Sequence, residues 1–190
     1  MCHFITATLP KDADLKSSKE IFKLHHLGFK EIENTSVREH LEKDDFYILT
    51  TKGMCDCGTV LASQDGGYQS DDSNSQKYKD REVEKLKKKG WSDTKIRRWL
   101  NEFEINAEKG QREEEQSHQY SLTRSEDWLN FIQEIINSKS TKRIGILVHN
   151  YSGGLDNRIK ILGKETIKLK NLTPQFLVEM SEDVIYDFVL

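Results

Sequence analysis

Residues 3–9, His3-Phe4-Ile5-Thr6-Ala7-Thr8-Leu9, are apolar or β-branched and end at Pro10. Their alternation predicts a strand with Ile5, Ala7 and Leu9 on one face and Phe4, Thr6 and Thr8 on the other. Asp14 stands where it can cap a helix from Leu15, whose inner face is Leu15, Ser18, Ile21, Phe22 and Leu24. Gly28 is the expected left-handed stop, with His25 and His26 in the last turn. A short strand near Phe29–Ile32 and a polar connection through His40 lead to Phe46-Tyr47-Ile48-Leu49-Thr50-Thr51, apolar on both sides and so read as a central strand. Val60-Leu61-Ala62 reads as its hairpin partner.

The pattern then turns polar. Residues 63–76 have the composition of a linker. From 77 to about 120 the apolar positions Val83, Leu86, Ile96, Trp99, Leu100 and Phe103 recur at helical spacing around Gly90-Trp91-Ser92, which predicts an inserted helical hairpin. Thr123-Arg124-Ser125-Glu126 has capping-box spacing and predicts the start of a further helix carrying Trp128, Phe131, Ile132, Ile135 and Ile136. Ile144–His149 reads as a second central strand. Ile159–Leu162 and Thr166–Leu169 flank Gly163-Lys164 as a hairpin, Thr173-Pro174 opens a short helix, and Val184–Val189 closes as a strand. The sum is one α+β domain over 1–190: a mostly antiparallel sheet with helices packed on one face and a helical hairpin inserted at about 77–120.

Composition narrows the function classes. A net charge of −3 gives no general attraction to nucleic acid or anionic membranes. No apolar run approaches the ~20 residues of a membrane span, and nothing resembles a signal peptide. Three cysteines, an odd number, fit free thiols in the cytoplasm. Charge is nevertheless separated along the chain. Residues 77–98 carry ten Lys/Arg against four Asp/Glu, and residues 102–115 carry six acids against two bases. Lys87, Lys88, Lys89, Arg97 and Arg98 are therefore the candidate partner-binding residues, for another protein or for nucleic acid through a helix pair. The neighbouring acidic run around Glu113 weighs against nucleic acid.

The densest candidate chemistry is Lys52-Gly53-Met54-Cys55-Asp56-Cys57-Gly58-Thr59. Structural zinc usually takes four ligands, often as two Cys-x2–4-Cys knuckles. Here there is one Cys-x-Cys, so other ligands would have to come from Cys2, His3 or His149. The candidate metal set is Cys55, Cys57, His3 and His149. The sequence requires no cofactor, and zinc is the one this set would take. A catalytic alternative pairs Cys57 as nucleophile with His149 as base, with the backbone N–H groups after Cys57 as oxyanion donors. The plainest alternative is two inert cysteines in a glycine-bracketed turn.

Residues 1–10 (Met-Cys-His-Phe-Ile-Thr-Ala-Thr-Leu-Pro), 55–59 (Cys-Asp-Cys-Gly-Thr) and 90–100 (Gly-Trp-Ser-Asp-Thr-Lys-Ile-Arg-Arg-Trp-Leu) together look like an uncharacterised family of small bacterial proteins. The resemblance implies a bacterial, cytosolic origin and nothing about mechanism. The expectation is a non-catalytic interaction protein, such as an immunity or toxin-neutralising partner of another protein. The alternatives are a thiol- or metal-dependent enzyme centred on Cys55, Cys57 and His149, and a nucleic-acid binder.

Overall fold

The computed structural model describes residues 2–57, 59–62 and 76–190, and their side chains except at 76, 77, 108 and 110–123. The strands are β1 (Cys2–Leu9), β2 (Lys30–Glu31), β3 (Phe46–Leu49), β4 (Arg143–Tyr151), β5 (Gly163–Lys168) and β6 (Val184–Val189). The helices are α1 (Leu15–Leu24), α2 (Thr35–Arg38), α3 (Gln76–Lys88), α4 (Asp93–Asn137) and α5 (Pro174–Val178). One six-stranded sheet has the order β2-β3-β1-β4-β6-β5. All pairings are antiparallel except β5 with β6. The fold is α+β, as the patterning indicates.

Contacts divide the chain into two compact units, Met1–Gln64 with Ser121–Leu190, and Asp65–Tyr120. In the second unit Ile96 is buried, Trp99 packs on Phe103, and Tyr78 stacks on Phe103. Lys87, Lys88, Lys89, Arg97 and Arg98 are all exposed. The expected linker at 63–76 lies outside the described residues except for Gln76, and so does the Gly58 expected to bracket the cysteine turn. No helix is long and apolar enough, among the described residues, to cross a membrane.

Strict alternation in β1 produces two different faces. Ile5, Ala7 and Leu9 join Ile48, Ile144, Ile146, Val148 and Phe188 beneath α1, the end of α4 and α5. Phe22 of α1 packs edge-on to Phe131 of α4 with ring centroids 4.8 Å apart. The other face carries a smaller cluster of Val37, Tyr47, Leu147 and Ile185. Val37 belongs to α2, so that short helix lies on the face opposite the larger helices.

Several expectations give way to other physics. Gly28 does not have positive φ; His26 does, at 58°, and ends α1. Gly28 serves a close approach instead: a Cβ there would stand 2.6 Å from the Thr51 carbonyl oxygen. Leu24, expected on the inner face, is exposed where the helix stops. Val60–Ala62 form a turn buried in the core rather than a strand, because β3, the strand they would pair with, is already flanked by β2 and β1. The capping box at Thr123–Glu126 starts no helix. Nothing between Asp93 and Asn137 breaks α4, and Ser125 lies buried inside it. The Gly163-Lys164 hairpin is absent too. Ile159 and Ile161 pack on the Tyr47 cluster, and β5 runs parallel to β6 as the edge strand.

A row of residues crosses the second face at Thr8, Gly145 and Asp187. A Cβ on Gly145 would meet the Thr8 hydroxyl and stand 2.7 Å from Asp187 Oδ1. Both neighbours are buried, and Asp187 is held by two cations, so neither yields easily. Gly145→Ala is expected to cost about 1–3 kcal/mol. The check is the shift of the urea midpoint at unchanged slope.

Candidate metal centre

β3 pairs with β1 only from Thr6 to Leu9, which leaves the edge of Cys2–Ile5 open on that side. The segment following β3 fills it. The Thr50 backbone N–H and hydroxyl both donate to the Ile5 carbonyl, at 3.2 and 2.7 Å. Asp56 accepts from the Ile5 N–H at 2.7 Å through Oδ2, which also accepts from the Thr51 hydroxyl. The Asp56 N–H donates to the His3 carbonyl at 2.8 Å. Finally the His3 N–H donates to Cys57 Sγ at 3.2 Å. The loop thus replaces a ladder strand with one carboxylate, one amide and one sulfur.

This anchoring explains how a single residue between two cysteines builds a site. Asp56 is turned back onto β1, and Cys55 and Cys57 flank it. Cys57 Sγ sits at the hydrogen-bonding edge of β1, between the two faces of the sheet, so side chains of either parity can reach it. Cys2 and His3 both do. The sulfurs of Cys2, Cys55 and Cys57 all lie within 4.8 Å of one another, close enough to hold a metal ion. The ring Nδ1 of His3 is 3.9 Å from Cys57 Sγ, and its Nε2 is 2.9 Å from Glu182 Oε1.

The electrostatics favour charge on one sulfur. The His3 N–H, then the His3 ring and the Cys55 thiol, bring the Cys57 thiol down to about 7. On Cys55 the Cys57 backbone N–H favours the thiolate, but donation to Cys57, burial and the nearby sulfurs outweigh it and hold that thiol high. Burial opposes charge on His3, yet Cys57 and Glu182 prevail and raise it. Burial also raises Asp56. The pattern is one exposed thiolate receiving hydrogen bonds from its neighbours; binding an ion would also require the Cys55 thiol to give up its proton. All three cysteines are free thiols.

The structure thus brings Cys57 to His3, and not to His149. His149 pairs with Phe4 across the β1–β4 ladder, so β1 itself stands between it and the cysteine loop. Its Nδ1 is bonded to Asp183 Oδ1, and its ring packs edge-on to Tyr151 at 4.3 Å. The residue joining Cys55 and Cys57 as third sulfur is Cys2. The sequence pattern does not point to Glu182 or to the hydrogen-bonding role of Asp56. Glu182 carries no local signal, whereas an acid between two cysteines was visible but silent about its hydrogen bonds. Beside the loop lies a cleft of about 580 Å³ lined by Lys52, Asp56, Thr59, His25, Trp128 and Phe131, among others.

No family model, curated protein or solved structure matches the chain.

Proposed function

We propose that this is a non-catalytic, zinc-stabilised interaction protein of the reducing cytosol. In this reading Cys2, Cys55 and Cys57 share one ion, and the exposed basic residues of the second unit meet an acidic protein partner. The observation that carries it is the approach of three sulfurs from two distant segments to within 4.8 Å. An ion with metal–sulfur bonds of about 2.3 Å needs sulfurs about 3.8 Å apart, so the three have only a short way to close. Thiolate-rich ligand sets take zinc or copper(I) rather than magnesium or calcium.

Two further observations support a binding role over an enzyme. The nucleophile–base pair of Cys57 with His149 is not assembled, since His149 is engaged by Asp183 on the far side of β1. Lys87, Lys88, Lys89, Arg97 and Arg98 are exposed, as a charge-complementary interface requires.

The test is elemental analysis of the full chain purified under reducing conditions, followed by zinc titration with thermal melts. About one zinc per chain is expected, together with a rise in Tm on zinc addition that disappears in Cys55→Ser/Cys57→Ser. A reduced wild-type chain that binds no zinc, and whose Tm zinc leaves unchanged, would overturn the reading.

A further inference from the structure

We propose that His3 supplies the fourth ligand through Nδ1 and that Glu182 is its positioning residue, making the centre a closed Cys3His site. The inference rests on the three-thiol reading and specifies its geometry. A carboxylate only accepts hydrogen bonds, so at 2.9 Å from Glu182 Oε1 the His3 Nε2 must carry the proton. That leaves the lone pair of the neutral ring on Nδ1, the nitrogen 3.9 Å from Cys57 Sγ. An ion bound tetrahedrally by both would place them about 3.6 Å apart. The Nδ1–Cys57 Sγ separation is therefore within a few tenths of an ångström of that value, and closing the site requires the ring to approach the Cys2 and Cys55 sulfurs as well, whose group of three with Cys57 does not include it.

The pairing with Glu182 is the arrangement that metal-binding imidazoles generally adopt: one ring nitrogen on the ion, the other N–H on a carboxylate that fixes tautomer and ring plane. The pair is also shielded. The His3 and Glu182 side chains retain only 16% and 27% of their exposure. Chain topology supplies the rest. His3 follows Cys2 directly on β1, and Glu182 lies in the turn just before β6. Four protein ligands leave no position for water, and zinc without an open position is structural rather than hydrolytic. A ring nitrogen among the thiolates also suits zinc or cobalt(II) better than copper(I).

Cobalt(II) reports this directly, because its visible bands respond to ligand type and coordination number. The reduced full chain is titrated with cobalt(II), then with zinc in competition, for wild type, His3→Ala, His3→Cys and Glu182→Gln. Wild type should give the intense bands of a tetrahedral ion at one per chain. His3→Ala should bind about 100-fold more weakly, with altered bands as water enters. Glu182→Gln should keep the wild-type bands with affinity reduced by about 10-fold. His3→Cys should restore tight binding with a four-sulfur spectrum.

Wild-type binding with bands and affinity unchanged in His3→Ala overturns the role of His3 and leaves the three-thiol centre standing. No cobalt binding by the reduced wild type overturns both. If His3→Ala fails to fold, His3→Cys decides: tetrahedral binding without a four-sulfur spectrum sinks the assignment.

Discussion

Arg143→Met is expected to destabilise the protein by about 3–5 kcal/mol, the cost of stranding buried charge. Arg143 opens β4, and its guanidinium spans two carboxylates: Nη2 is 2.7 Å from Asp45 Oδ2 and Nη1 is 2.9 Å from Asp187 Oδ2. Those side chains retain 1% and 5% of their exposure, so neither can turn to water. Asp187 keeps Lys164 at 3.0 Å after the substitution, whereas Asp45 keeps the Glu42 N–H at 3.2 Å and the charge of Arg38, which donates to its backbone carbonyl and not to its carboxylate. Burial opposes the guanidinium charge, but the two carboxylates prevail and raise its pKa further. The damage should therefore fall on Asp45. Urea melts of Arg143→Met, Asp45→Asn and the double variant at neutral pH test this. The double variant should be more stable than the sum of the single losses implies, because the charge left alone has been removed. A single-variant loss under about 1 kcal/mol would show the guanidinium to be replaceable by packing alone.

What the sequence reveals of the fold follows from how local each signal is. The alternation of Ile5, Ala7 and Leu9 is written in consecutive residues, and the same residues line the main core. Asp14 caps α1 through the N–H groups of Lys16 and Ser17, three positions or fewer away. The failures involve partners distant in sequence. Residues 159–169 look like a hairpin because a Gly-Lys pair separates two apolar runs. Yet β5 finds its partner in β6 across the short helix α5, and no spacing records a parallel pairing. Thr123–Glu126 has the residues of a cap, but a cap works only where the preceding chain leaves the helix, and here it does not.

The site divides along the same line. Cys-x-Cys after an apolar strand is legible as a candidate centre, and so is the need for distant ligands. Which histidine answers depends on strand order. β1 lies between β3 and β4, so the loop leaving β3 runs along the edge that carries Cys2 and His3. His149 stands one strand further away, paired with Phe4. His3 and His149 have similar credentials in the sequence, each at the end of an apolar strand. Only topology separates them.

Asp56→Ala is expected to cost about 2–3 kcal/mol and, at the proposed centre, to weaken zinc binding by about 10–100-fold, coupling fold to site through one carboxylate. Asp56 Oδ2 is the acceptor for the Ile5 N–H, and Ile5 is fully buried in the main core. Alanine would leave that N–H without a partner, a buried donor unsatisfied, and would free the Thr51 hydroxyl as well. The loop would then be held to β1 chiefly by Thr50 and by the Asp56 N–H on the His3 carbonyl. Cys55 and Cys57 flank the altered residue, so loosening there raises the entropic cost of gathering the sulfurs around an ion. Asp56→Asn should behave differently. With its amide oxygen in the place of Oδ2 it can still accept from both the Ile5 N–H and the Thr51 hydroxyl, and burial already disfavours the carboxylate charge. The asparagine variant is accordingly expected within about 1 kcal/mol of wild type, with near wild-type zinc affinity. Urea melts and zinc competition with a chromophoric chelator, run on the same preparations, separate the two effects. Loss of stability in Asp56→Ala with zinc affinity unchanged would show that the ion itself, rather than the hydrogen bonds to β1, holds the cysteine turn in place.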